Sequence, residues 1–507
     1  MKSNLNFNQP TGFPRSGSAV KRGARWGTLL AGPLLLAGCN FAPHYEKPTV
    51  AAPAAFKELT PAQARETDGW KTAEPQDNAL RGRWWEMFQQ PELNALEEQV
   101  TVTNNQTLAA AFQSYLVEQD LMKAARTGYF PTVSADPSGT VSRSNLQLPG
   151  SSGGTAGKSV KSYTLPLDAS WQPDFWGSIR NTVKASALAA QASLADLENS
   201  RLAIQGELAV DYFELRQADS QKLLLDDTVG AYRNSLNLEQ VLHKTGIASD
   251  QDVAQAEVQL NTTLAQDTDL GIQRATLEHA IATLLGKPAS EFSLQTNALT
   301  ARPIAIPFGV PAQLLERRPD IAAAERLVAE ANAQIGVARA AFFPTISLSG
   351  DIGFDGERVG NLSAGPALLW SLGGSASETL FDAGKRKYAT DQAWASYRAQ
   401  VANYRQTVLT AIQGVEDNLA ALRVLSVELK QQADAVASSQ RYLNLAKERY
   451  RLGIDSYLNV ITAQTTLLSN QRTELTLQVE QITASVQLIE NLGGGWNGTL
   501  ATNSVAR

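Results

Sequence analysis

The chain is 507 residues long and carries 44 Lys and Arg against 50 Asp and Glu, three histidines and a single cysteine. One cysteine excludes an intrachain disulfide and a thiolate metal cage. The first 38 residues hold five basic and no acidic side chains, so the remainder sets 39 cations against 50 carboxylates, a net charge of −11 that argues against nucleic acid as a partner.

The first element is a leader. Lys21, Arg22 and Arg25 precede an apolar run from Trp26 to Ala37 that ends in Gly38-Cys39, the charged, apolar and small-residue order of a secretory signal. The Leu36-Ala37-Gly38-Cys39 ending resembles the lipobox of bacterial lipoproteins. It implies cleavage before Cys39 and a covalent lipid on that thiol; the competing reading is a buried free cysteine. No methionine lies between Met1 and Met87, which points to a translation start at Val20. Residues 39–90 read as a lipid anchor and extended linker, Pro/Ala-rich from Pro48 to Pro61. Trp84-Trp85 and Phe88 at its end are expected to be a packing anchor rather than an interfacial belt. Past the leader no run of 18 apolar residues occurs, so any passage through a membrane has to be made by strands.

Residues 91–300 form a first unit. A helix is expected from about Pro91 to Thr127, then strands over about 131–147 and 158–175 joined by a Gly/Ser-rich loop from Pro149 to Lys158. Their side chains alternate: Val133, Ala135, Gly139 and Val141 against Thr132, Ser134 and Ser138, then Tyr163, Leu165, Leu167 and Ala169 against Thr164, Asp168 and Ser170. Segments this long exceed the ~9–11 residues of a tilted membrane strand, and their small, hydroxylated polar face suits a watery lumen. Pro137 and Pro166 each remove a ladder donor, which counts against that reading. Between Gly177 and Gly246 lie 68 residues without proline, with Ile179, Val183, Ala187, Ala190, Leu194 and Leu197 spaced by four and three. A helix of that length spans roughly 100 Å. A shorter helix, Ala248 to Leu285, follows.

Residues 301–497 repeat the unit, and 498–507 are a tail. Gly177, Gly246 and Gly286 recur at Gly384, Gly453 and Gly493, each displaced by 207 residues, while Tyr129-Phe130-Pro131-Thr132 recurs at Phe342-Phe343-Pro344-Thr345, displaced by 213. The second unit is expected to have a helix from about Arg317 to Ala341, strands over about 344–356 and 365–381 with Glu378 interrupting the last apolar face, a long helix from Arg386 to Leu452 and a short one from Asp455 to Leu492. Four strands cannot close in lipid, where an open edge leaves backbone groups unsatisfied. Two copies would give eight strands, which fill their own interior, so three copies, with twelve strands, is the smaller number that leaves a channel.

The duplicated helix–hairpin–helix unit, the turn Tyr450-Arg451-Leu452-Gly453-Ile454-Asp455-Ser456-Tyr457-Leu458 and the closing Leu492-Gly493-Gly494-Gly495-Trp496 resemble the TolC-type outer membrane factors, in the lipidated branch related to OprM and NodT. The likeness covers essentially all of residues 39–500. It implies an α+β membrane protein: a homotrimer whose long helices form a periplasmic α-barrel and whose strands form a 12-stranded outer-membrane β-barrel, four per protomer. It implies an exit duct of a tripartite efflux system in a Gram-negative bacterium, taking drugs or other small molecules from an inner-membrane pump, of the resistance-nodulation-division class or another, through a periplasmic membrane-fusion adaptor. Adaptor docking would fall on Thr245, Gly246, Ile247, Ser249 and Asp250, and on Leu452, Gly453, Ile454, Ser456 and Tyr457. The family's gate tyrosine matches Tyr450, and Leu458 is read as an apolar plug. Where TolC-like members carry entrance aspartates this chain has Asn459 and Thr462, so a strong acidic ring is not expected, although Asp455, Asp250 and Asp252 lie close by. The gate is therefore read as held by Tyr450, Leu458 and hydrogen bonds rather than by charge.

Alternatives remain open at this point. The chain could be a non-conducting structural lipoprotein of the periplasm, or the outlet of a heavy-metal or type I secretion system; three methionines and three histidines give soft-metal handling little support. No enzyme is expected, since His44, His243 and His279 are scattered and no phosphate cradle, nucleophile elbow or metal-ligand spacing occurs. No cofactor is expected beyond the lipid on Cys39.

Overall fold

A computed structural model describes residues 40–50, 56–58, 82–143, 159–301, 318–361 and 367–494. The leader, Cys39, most of the linker, the loop around Pro149 to Lys158, residues 302–317 and the Gly495-Trp496 ending with its tail lie outside the described residues. The elements are α1 (Pro91–Glu97), α2 (Gln106–Thr127), β1 (Thr132–Ala135), β2 (Ser138–Arg143), β3 (Ser159–Trp171), α3 (Ser178–Lys244), α4 (Asp250–Leu284), α5 (Pro319–Ala340), β4 (Thr345–Gly356), β5 (Leu368–Ser377), α6 (Lys385–Arg451) and α7 (Tyr457–Asn491). The two displacements map α2 onto α5, α3 onto α6 and α4 onto α7 residue for residue.

The single helix expected from Pro91 to Thr127 is two. The β-branched run Thr101-Val102-Thr103 disfavours the helix, and the Asn105 side chain accepts from Leu108 N at 2.9 Å, capping a new start. The first strand also divides, at Asp136-Pro137, into β1 and β2, which keep one register along β3. In that register Pro137 falls opposite Leu165 and Asp136 opposite Pro166, so the ladder opens where two residues lack an N–H. Glu378 interrupts nothing, because β5 ends at Ser377.

The sheet runs β1/β2, β3, β4, β5, every neighbour antiparallel, and its two edges have no partner strand among the described residues. Register makes its faces continuous. Ala135, Leu167, Ile352 and Trp370 form one row on the apolar face, and Ser134, Asp168, Asp351 and Ser371 one row on the other. The apolar row stays open: Leu167 is 50% and Trp370 73% exposed.

Each long helix runs through, while two shorter ones stack beside it: α3 packs against α2 and α5 toward the sheet and against α4 and α7 away from it. At ~1.5 Å per residue the 67 residues of α3 reach roughly 100 Å. The main core sits midway, where Trp84, Trp85 and Phe88 pack with Phe213 and Leu208 of α3, Ile281 of α4 and Ile482 and Ile489 of α7. The paired tryptophans are thus buried in that core. Beyond the leader, residues 40–50 strap the sheet end of the bundle: Asn40 Oδ1 accepts from Asn181 Nδ2 at 2.9 Å, Asn332 Nδ2 donates to the Pro43 carbonyl at 2.9 Å, and Phe41 stacks on Phe343. No described helix is long and apolar enough to cross a membrane.

Candidate functional site

The ends of the helices far from the sheet carry most of the residues singled out above. Both turns are built alike. Gly246 N donates to the His243 carbonyl and Ile247 N to Leu242; Gly453 N donates to Tyr450 and Ile454 N to Arg449, all at 2.8 or 2.9 Å. This closure needs a left-handed residue, and φ is +76° at Gly246 and +71° at Gly453. The geometry forces Ile247, Leu452 and Ile454 outward, where they are 75%, 59% and 60% exposed. Thr245 turns its hydroxyl back to the Leu242 carbonyl at 2.9 Å.

The helix starts differ between the copies. Ser249 and Asp252 form a reciprocal capping box, Asp252 N donating to Ser249 Oγ at 3.2 Å and Ser249 N to Asp252 at 3.0 Å. Asp252, a candidate gate carboxylate in the sequence, is therefore engaged in holding its own helix end. The position equivalent to Asp252 is Asn459, and Ser456 makes no side-chain cap. Asp455 takes over: it accepts from Ser456 N at 3.1 Å and from the Asn459 amide, and pairs with Arg449 Nε at 3.1 Å. The Arg449 guanidinium, with the Asn459 bond, holds its carboxyl below the ordinary aspartate value.

Behind the turns lies a contact that sequence reasoning missed. The Tyr450 hydroxyl donates to Glu239 Oε2 at 2.7 Å, tying α6 to α3, and the Tyr450 ring lies 5.4 Å from that of Tyr457. Glu239 is fully buried and its Oε1 has no partner among the described residues. Burial pushes its carboxyl above the ordinary glutamate value, the Tyr450 bond opposing and Asp252 adding to the shift. Burial and Glu239 push the Tyr450 hydroxyl up, and burial, then Glu239, raises Tyr457 to about 12. A signal was present, since Val229, Tyr232, Leu236 and Glu239 are spaced three and four apart, which puts a carboxylate on the apolar seam of α3.

Tyr457, expected on the docking surface, is instead buried with Leu443, Val460 and Ala463 beneath the turn. Leu458 and Thr462 lie on the exposed side of α7, with Thr462 Oγ1 bonded to the Leu458 carbonyl at 2.9 Å. The structure thus joins Tyr450, Tyr457 and Glu239 in one cluster, Arg449, Asp455 and Asn459 in a second, and leaves Leu458 with neither.

Residues 99–287 and 310–494, both repeats, match the outer membrane efflux protein family. The chain belongs to that family. It is 32% identical over 466 residues to the toluene efflux pump outer membrane protein TtgC of Pseudomonas putida, covering 91% of this chain and 94% of that one. Its fold superposes on the outer-membrane channel OprN with a TM-score of 0.81 at 30% identity, covering 90% of this chain and all of that one. It superposes on the open state of the Neisseria gonorrhoeae MtrE outer membrane channel with a TM-score of 0.78 at 25% identity, covering 90% and 99%. The outer membrane efflux protein assignment agrees with the sheet, whose continuous apolar and polar faces suit lipid on one side and water on the other.

Proposed function

We propose that three copies of this chain enclose one passive, water-filled duct, crossing the outer membrane as a β-barrel of twelve strands and the periplasm as an α-barrel, through which a tripartite pump expels small molecules. The observation that carries this reading is a sheet four strands wide, β1 and β2 lying end to end along β3, with no partner strand on either edge among the described residues, one apolar face and one polar face. Such a sheet is stable in lipid only when other copies close it. Substrate arrives from an inner-membrane pump of the resistance-nodulation-division class through a periplasmic adaptor. The adaptor docks on the apolar projections of the two turns, Ile247, Leu452 and Ile454, with Thr245, Ser249, Asp250 and Ser456 at their base. Tyr450, Glu239 and Tyr457 hold the entrance shut, and Leu458 lines it.

The selection of cargo rests with the pump, and similarity to a toluene efflux pump outer membrane protein supports small organic compounds as cargo. Cys39 carries a lipid. In support, Asn40 bonds Asn181 at the first turn of α3 next to the sheet, so a chain on the preceding residue reaches the bilayer that the sheet enters.

The test is planar-bilayer recording of purified, detergent-extracted protein, joined to its mass in solution. A trimer with discrete conductance steps is expected. A monomer, or a trimer that passes no current even with the tip opened by Tyr450→Phe, sinks the reading and leaves a structural lipoprotein. Mass spectrometry of the mature N-terminus checks the lipid on Cys39.

A further inference from the structure

The charges of the sheet are sorted by face. Its five strands hold five charged side chains, Arg143, Lys161, Asp168, Asp351 and Asp355. Asp168 faces Asp351 and Asp355 faces Thr164, which puts all three carboxylates in the polar rows. Lys161 faces Val141, and Arg143 follows Val141 by two residues. Strand alternation therefore sets both cations on the face that carries Leu165, Leu167 and Ile352.

The cations also share one end. On β3 the apolar face runs from Tyr163 through Leu165, Leu167 and Ala169 to Trp171, roughly 26 Å along the strand at ~3.3 Å per residue, with an aromatic ring at each limit. Lys161 is the next residue on that face beyond Tyr163, away from the helices. Arg143 lies diagonally from it, ~7–8 Å away at Cα. Arg358 stands at the same end, two residues past Gly356, the partner of Tyr163. All three are exposed, and among the described residues none is paired with a carboxylate. The hairpin loops there supply none by composition, since residues 144–158 and 359–367 contain no Asp or Glu. Asp355, the carboxylate at this end of β4, accepts instead from Ser162 at 2.9 Å on the polar face.

We propose that Arg143, Lys161 and Arg358 bind the phosphate groups of a phosphorylated lipid in the outer leaflet, whose acyl chains lie along the apolar face beside them. The inference rests on the barrel reading above and adds a lipid ligand to it. Any polar side chain would satisfy the water at the rim of the sheet; a patch of one sign, on a face that holds no carboxylate, calls for an anion. Arginine meets phosphate oxygens through two parallel N–H donors, and lysine meets them as a point charge. The patch runs directly into the apolar surface, so the anion it fits is one that carries acyl chains and not a free phosphate.

Native mass spectrometry of the full-length, detergent-extracted protein tests this, with lipid A carrying both of its phosphates as the probe. The parent trimer is expected to retain the lipid. Each Lys or Arg near a charged lipid surface contributes roughly fivefold, so R143Q/K161Q/R358Q is expected to bind it at least about tenfold more weakly. The same lipid stripped of phosphate is expected to bind parent and variant alike, at the weaker level. Equal retention of both lipid forms by the parent, or full retention by the triple variant, overturns the proposal. Millimolar inorganic phosphate is expected to leave the lipid in place, and displacement overturns the lipid assignment in favour of a free-phosphate site. D351N/D355N makes the sheet more positive on its other face and is expected to change nothing; a gain in retention there means that net charge decides, and overturns the site. If the triple variant fails to assemble, R358Q, outside the strands, and the phosphate-free lipid on the parent carry the test. A monomeric parent in the same spectra sinks the barrel reading instead.

Discussion

Tyr450 donates its hydroxyl to one oxygen of Glu239 at 2.7 Å while the second oxygen of that buried carboxylate has no partner. Any movement of α6 away from α3 breaks the bond, so it works as a latch. Tyr450→Phe leaves both oxygens unsatisfied, a loss of ~1–3 kcal/mol to the closed tip. Single-channel recording should show open probability rising about tenfold or more in Y450F, with Glu239→Gln, which still accepts, close to the parent.

The same carboxylate sets a pH dependence. Burial raises its pKa above the ordinary glutamate value. A raised value means that the closed tip holds the proton more tightly than the opened one. Burial of the neutral acid therefore favours the closed tip in full below the ordinary glutamate range, and that preference is lost as pH climbs through the raised value, while the Tyr450 bond, which favours the carboxylate, opposes it. Conductance should increase with pH across that window, and Glu239→Gln should flatten the profile. A profile unchanged in that variant would assign the pH response to another group.

Asp455 behaves in the opposite sense. Arg449 and Asn459 satisfy it, and its carboxyl is held below the ordinary aspartate value. Its contact is present above that value and disappears only as pH falls through the depressed one. Because each Asp455 arrives paired with a guanidinium, three copies add little net negative field. Millimolar divalent cations should block the channel weakly, and Asp455→Asn should leave that block unchanged. Strong block abolished by the substitution would contradict this.

Much of this fold could be read from residue order, because the repeat fixes its punctuation with glycines whose role is local. Gly177, Gly246 and Gly384 all have positive φ, and each sits at a helix end. Period-two alternation revealed the sheet's faces in the same local way. What escaped depends on residues distant in sequence or on competition within a short segment. The break before α2, where Thr101-Val102-Thr103 disfavours the helix and Asn105 caps a new start, was lost inside the longer apolar pattern of Pro91 to Thr127. Pro137 could be weighed as an objection, yet its harmless placement opposite Leu165 needed the register. Glu239 was visible as a carboxylate on an apolar seam, but its partner Tyr450 lies 211 residues away.

The midsection depends on a buried ionic network that combines local pairs with distant ones. Asp219, fully buried, pairs with Arg216 at 2.6 Å and Arg274 at 2.9 Å and accepts from Asn297 N at 3.1 Å; Arg274 also pairs with Glu278. These contacts pin residues 294–299 across α3 and α4. Removing Asp219 takes from both arginines their most buried partner and leaves Asn297 N without its acceptor, a cost on the order of 3 kcal/mol that Glu92 on Arg216 and Glu278 on Arg274 offset in part. Asp219→Ala should lower the denaturant midpoint of the purified protein substantially and open the 294–299 segment to protease. Wild-type stability in that variant would show that the arginines find other partners.

Glycines at the helix-ending turns should differ in cost. Gly246 and Gly453 have open space where a side chain would begin, whereas a Cβ on Gly286 would fall on the Asn104 carbonyl. All three have positive φ. Gly246→Ala and Gly453→Ala therefore bear only the left-handed backbone penalty of ~1–2 kcal/mol. Gly286→Ala bears that penalty and must also displace the turn preceding α2, whose Asn105 caps that helix and donates Nδ2 to the Leu284 carbonyl at 2.8 Å. Thermal denaturation of the three variants should rank G286A well below the other two, which should stay near the parent and near each other. Equal losses at all three positions would mean that backbone conformation, and not the approach of Asn104, decides stability there.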